Sequence, residues 1–177
     1  IGDLPNLPGT AALASLGAAL CGVDYIKAGL KGVSDVESAA KLMREVVEAA
    51  KLYDGGVRLV AAGYADAHRV GSLNPLEVPE VARKADADVA MIDTAVKDGR
   101  KLFDFLSQDQ LTKFVEDAHA HGLLAALAGS LRVEDIPRIA EIGADIVGFR
   151  GAACEGGDRA RGRVSRERVL EIVKAAR

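Results

Sequence analysis

Cysteine is scarce. Only Cys21 and Cys154 occur, far apart and in no CxxC spacing, so neither a disulfide framework nor a cysteine zinc site is indicated, and a reducing cytoplasm is the expected setting. Tryptophan is absent, and no apolar run approaches the ~20 residues needed to cross a bilayer, which argues against a membrane protein. An excess of one charge is missing too. The 23 basic and 26 acidic residues are dispersed and sum to -3, giving no general field for DNA or RNA, although a bound anion can still meet a local basic pocket. Neither GxGxxG nor GxxxxGKS/T occurs, so a Rossmann dinucleotide site and a P-loop lack support. No linker, low-complexity tract or charge block divides the chain, and residues 1–177 are drawn as one domain. The sequence opens on Ile1 with no initiator methionine and no basic, apolar signal segment, which raises the expectation of an incomplete N-terminus.

What is present is a rhythm. Short runs of small and β-branched residues recur at 23–30 (VDYIKAGL), 57–65 (VRLVAAGYA), 88–96 (DVAMIDTAV), 123–130 (LLAALAGS) and 145–151 (DIVGFRG). Their nearly continuous apolar character predicts parallel strands covered on both faces. Helical patterns lie between them. Ser34 with Glu37 and Ser107 with Gln110 read as capping boxes; Gly122 and Gly143 read as helix stops; Ser165 reads as the cap of a last helix through about Ala176. A small-residue helix from Thr10 precedes the first full strand. Ile1-Gly2-Asp3, followed by a turn through Pro5, Asn6, Pro8 and Gly9, looks like the end of another strand.

Strand and helix alternating every ~20 to 35 residues predict an α/β fold of right-handed crossovers. A (β/α)8 TIM barrel usually takes about 250 residues, so the expected architecture is a barrel lacking its first two to three strands in this chain. The rival is a doubly wound open sheet of five strands, which fits the length with nothing missing. Periodicity does not choose between them.

In either architecture ligands bind beyond the carboxyl ends of the strands. Lys27 interrupts the apolar run DYIKAGL, Asp66 follows GYA, and Asp93 and Lys97 stand at and just past the end of AMIDTA. Each taken alone reads equally well as a side chain reaching solvent or making a structural ion pair. Together they point to carbonyl chemistry: an amine withdrawn from water is more readily neutral and able to attack a carbonyl, and a nearby carboxylate can move protons. Gly129-Ser130 and Gly151-Ala152 follow successive strands, where backbone amides converge on an anion in many such folds; the alternative is that they only make tight turns. If two to three strands precede, these loops follow strands seven and eight, which frequently hold phosphate.

Other residues are weaker candidates. His119 and His121 stand two apart and point in different directions from a helix, which disfavours a metal role. His68 reads as a solvated loop histidine, and Cys154 as a buried thiol with no histidine partner in view. The basic stretch RARGRVSRER reads mainly as exposed charge, with Arg159 kept as a substrate contact.

The segments IGDLPNLPGT, DYIKAGL, VAAGYADAHRVGS, VAMIDTAVKDGRKLFDF, AALAGS and DIVGFRGAAC, the last followed by GGDR, resemble the (5-formylfuran-3-yl)methyl phosphate synthases (4-HFC-P synthases) of methanofuran biosynthesis. The resemblance spans essentially all 177 residues. It implies a TIM barrel and a lyase that condenses two molecules of glyceraldehyde 3-phosphate into a furan aldehyde phosphate, losing one phosphate and water, with no metal or organic cofactor. By resemblance Lys27 and Lys97 match active-site lysines, and Asp93 the accompanying acid/base carboxylate. Gly129, Ser130, Gly151 and Ala152 would hold a substrate phosphate, with Asp66 and Arg159 as further substrate contacts. The family also implies a Schiff-base lysine in an Asp-x-Lys arrangement on an earlier strand, before Ile1. The expected partner is a small phosphorylated aldehyde, with a homo-oligomer possible and nucleic acid and membrane excluded. Two other readings stay open: a different Schiff-base phosphosugar aldolase or isomerase on the same scaffold, and a non-catalytic phosphate-ligand binding subunit.

Overall fold

A computed structural model describes residues 6–53 and 56–176. The strand end expected at residues 1–3 lies outside them. Five strands, β1 (Tyr25–Gly29), β2 (Arg58–Tyr64), β3 (Val89–Asp93), β4 (Leu124–Leu127) and β5 (Ile146–Val147), form one parallel sheet in the order β1-β2-β3-β4-β5. Doubly wound sheets reverse direction at a switch point; this order has no reversal. The open-sheet rival therefore finds no support in the strand order.

The helices are α1 (Pro8–Leu20), α2 (Val36–Lys51), α3 (Val78–Lys84), α4 (Gln108–Ala120), α5 (Ile136–Ile142) and α6 (Arg166–Ala175). Several carry local start or stop signals. Pro8 presets the first turn of α1, and Ser107 and Gln110 satisfy each other's end of the chain in a reciprocal cap on α4. Gly143 takes the left-handed conformation that stops α5, and Ser165 caps α6. The cap of α2 differs from expectation. Asp35, not Ser34, accepts from the Ser38 amide, because it occupies the position next to the first helical turn.

Alternate residues of each strand face opposite ways. One face, including Ile26, Ala28, Leu59, Ala61, Ala90, Ile92, Ala125 and Leu127, joins the main core with α2, α3 and α4. There Met43, Val46, Val78, Val81, Leu111 and Phe114 are fully buried. The other face carries a small separate cluster of strand residues, Val60, Val89 and Ala126, with Met91, Leu124 and Ile146 against them. Among the described residues, no helix residue joins that cluster. The helices thus cover one face, and the opposite face is where Lys27 and Asp93 lie.

The strands are registered by a recurring device at their amino ends. The Asp88 carboxylate accepts from the Leu59 amide at 2.8 Å, and the Asp145 carboxylate accepts from the Ala125 amide at 2.7 Å. Each aspartate, just ahead of its own strand, locks the neighbouring strand's first amides. Among the described residues, no helix is long and apolar enough to cross a membrane.

Candidate functional site

The sheet register puts Lys27 beside Val60, and Asp93 beside Tyr64, on the face without helices. Lys27 and Asp93 are thus separated by β2, whose Ala62 on that face leaves room for a long side chain to pass. The Lys27 Nζ reaches Asp93 Oδ2 at 3.2 Å. From the other side the Lys97 Nζ donates to Asp93 Oδ1 at 2.7 Å and to the Thr94 hydroxyl at 3.0 Å. The Thr94 amide adds a donor to Asp93 Oδ1 at 2.8 Å.

Asp93 is largely withdrawn from water, its side chain 16% exposed, against 45% for Lys27 and 28% for Lys97. Burial pushes the Asp93 carboxyl up. The Lys97 hydrogen bond and charge, the Lys27 charge and the Thr94 amide outweigh it, so the group lies below the ordinary aspartate range. One carboxylate is thus held ionised between two amines at the end of β3.

This cluster opens into a cavity of about 820 Å³ at the carboxyl ends of the strands. Lys27, Asp93, Lys97, Gly129, Ser130, Gly151, Ala152 and Arg159 all line it. Six basic side chains line it against three acidic ones, in a chain whose net charge is -3. The Gly129-Ser130 turn has positive φ at both residues, 119° and 52°. For serine that conformation costs on the order of 1–3 kcal/mol, a strain that concentrates at functional sites. Gly129 is required for another reason. A Cβ there would lie 3.0 Å from the Thr94 methyl and 3.2 Å from the Thr94 nitrogen, so glycine lets the β4 loop press against the residue that holds Lys97.

The sequence matches the family model for 4-HFC-P synthase over residues 1–173. It is 57% identical to a (5-formylfuran-3-yl)methyl phosphate synthase of Methanopyrus kandleri over 175 residues, 99% of this chain and 74% of that protein. A protein of the same name from Methanocaldococcus jannaschii is 57% identical over 172 residues, covering 97% of this chain and 73% of the relative. The chain belongs to the 4-HFC-P synthase family. Among solved structures, a 3-hexulose-6-phosphate synthase aligns with TM-score 0.61 at 18% identity, over 94% of this chain and 69% of that one. A putative lyase/mutase from Burkholderia cenocepacia gives 0.59 at 16%, over 81% and 50%. At such identities the likeness concerns the fold alone.

For this family member, one expected substrate contact lies elsewhere. Asp66 is fully buried outside the cavity, where its carboxylate accepts from the Ala95 amide at 2.6 Å and the Val96 amide at 2.9 Å. A side chain so enclosed touches the β3 loop, not a ligand in the cavity. His68 lies against the Phe105 ring, and the His119 ring bonds Asp145 at 2.8 Å beside the amino end of β5. Cys154 is buried, its thiol donating to the Arg150 carbonyl at 3.2 Å. Among the described residues, no three His, Cys, Asp or Glu side chains are grouped to hold a metal.

Sequence reasoning missed Thr94, Arg132, Arg150 and Arg168. Thr94 and Arg150 carried a usable signal, since each stands at or just past a strand's carboxyl end, like Asp93. Arg168 sits inside α6 and reaches the cavity only through the fold.

Proposed function

We propose that this protein is a lyase of methanofuran biosynthesis that condenses two molecules of glyceraldehyde 3-phosphate into (5-formylfuran-3-yl)methyl phosphate, releasing one phosphate and two waters. The observation that carries the reading is the convergence of the Lys27 and Lys97 amines on the single Asp93 carboxylate, at 3.2 and 2.7 Å, in a cavity lined mainly by basic groups. Family membership supports the product, and the cavity's charge supports a phosphorylated substrate.

The chemistry follows from those groups. A lysine amine adds to the aldehyde and water leaves, forming an imine whose protonated form acidifies the adjacent C–H. Asp93, ionised at neutral pH, takes that proton, and the released electron pair enters the imine to give an enamine. This pair then attacks the second aldehyde or expels phosphate from the neighbouring carbon; the product needs both events. When a substrate phosphate draws a lysine away from Asp93, the carboxylate loses a stabilising partner and becomes a better base. The amides of Gly129, Ser130, Gly151 and Ala152 and the Arg159 guanidinium hold a phosphate, and Lys97 assists at the carbonyl or phosphate oxygen.

The sheet is read as an arc of a (β/α)8 barrel. Unreversed parallel order, helices on one face and a polar ending to the other face support this.

Intact protein given glyceraldehyde 3-phosphate alone accumulates a furan chromophore under this reading, and Lys97→Ala slows it by about 10²- to 10⁴-fold. A different sugar phosphate product would favour another aldolase or isomerase. No turnover, together with no borohydride-trapped adduct, would favour a binding subunit.

A further inference from the structure

Asp66 is one of three fully buried polar side chains among the described residues, with Ser15 and Thr94. A buried carboxylate is retained only where charge and hydrogen bonds compensate its lost hydration. Its partners here are specific. Both oxygens accept backbone amides, from Ala95 at 2.6 Å and Val96 at 2.9 Å, and these are the two residues before Lys97. Its countercharge is Arg69, whose Nη1 lies 3.5 Å from Asp66 Oδ2. The Nη2 of the same guanidinium donates at 2.8 Å to Asp98, the residue after Lys97. Asp98 is further held by the Arg100 amide at 3.2 Å and the Arg100 guanidinium at 3.0 Å.

Lys97 is therefore flanked by two contacts from the neighbouring β2 loop, Asp66 on the backbone amides before it and Arg69 on the Asp98 side chain after it. Among the described residues Arg69 Nη1 is buried with no hydrogen-bond partner, a stability cost set against the ion pairs the guanidinium makes with both aspartates. Lys97 itself sits in a loop outside any helix, yet must return its amine to Asp93 four residues back, at 2.7 Å. Where that amine lands depends on the path of residues 95–98, and a misplacement near 1 Å costs on the order of 10²-fold in rate.

We propose that Asp66 and Arg69 are positioning residues that set the Lys97 amine against Asp93 by bracing the β3 loop from the β2 loop. This rests on the reading of Lys97 as part of the reacting cluster.

The test is a double-mutant cycle in the intact protein with glyceraldehyde 3-phosphate. Asp66→Asn, which keeps the side chain's size, lowers kcat at least about tenfold with KM changed less than about twofold, and in a Lys97→Ala background the same change moves kcat less than about twofold. Arg69→Ala lowers kcat, and Arg69→Lys recovers part of the loss because a cation between Asp66 and Asp98 is restored. Independently of turnover, the acylation rate of Lys97 by an amine-reactive reagent changes in Asp66→Asn, while that of Lys113, on the surface of α4, does not. Equal kcat losses in both backgrounds, or unchanged kcat with unchanged Lys97 labelling, overturn the proposal. If Asp66→Asn does not fold, the Arg69 pair and its labelling decide on the same terms. Wild-type protein that makes no furan sinks the functional reading alone, since the labelling contrast still reports on the bracing.

Discussion

Asp93 carries two cations and an amide donor on one carboxylate, and that arrangement fixes its pH behaviour. Its folded pKa lies below the unfolded value, so its contribution to stability is present above the ordinary aspartate range, near ~3.9, and is lost as pH falls through the folded value. The stability gap between wild type and Asp93→Asn, measured by urea unfolding, should therefore be largest near neutrality and shrink as pH falls below the ordinary aspartate range. A second prediction concerns Gly129. Gly129→Ala places a methyl against Thr94 at a φ of 119°, so it should lower stability and also slow turnover by moving Thr94, read by urea unfolding and by kcat. At this scale Lys27, Asp93 and Lys97 were legible because charge interrupting an apolar strand end is a local signal. Asp66 was misread because the sequence gives its position after a strand but not its burial, and partners 29 and 30 residues away decide that burial.

Helices support the site from the opposite face of the sheet. Phe114 on α4 is fully buried against the sheet, so Phe114→Ala should cost about 3–5 kcal/mol in urea unfolding while leaving kcat per folded molecule nearly unchanged, because the cluster lies on the opposite face. All five strands and α4, α5 and α6 could be read from apolar runs and from Ser107, Gly143 and Ser165, which act through adjacent backbone amides. The short α3 carried no such mark. It has seven residues, begins with Pro79 in its first turn, and lacks a side-chain cap, so packing of Val78, Val81 and Ala82 maintains it.

At the scale of the molecule, a chain of net charge -3 gathers six basic side chains around one cavity. Raising ionic strength should then raise KM for a phosphorylated substrate several-fold while kcat holds, since screening weakens the field that gathers the anion more than contacts inside the cavity. Composition hid this, because dispersed charge sums to little until the fold collects part of it. Strand order was hidden as well; alternation predicts parallel strands, whereas only which strands pair distinguishes an unreversed sheet from a doubly wound one. The proposed reaction turns on Asp93 moving a proton from the carbon next to the aldehyde. The direct measurement is deuterium uptake at that carbon when the intact protein meets glyceraldehyde 3-phosphate in D2O. Wild type should exchange it, and Asp93→Asn should exchange it at least about 10²-fold more slowly; exchange at the wild-type rate in Asp93→Asn would contradict the account.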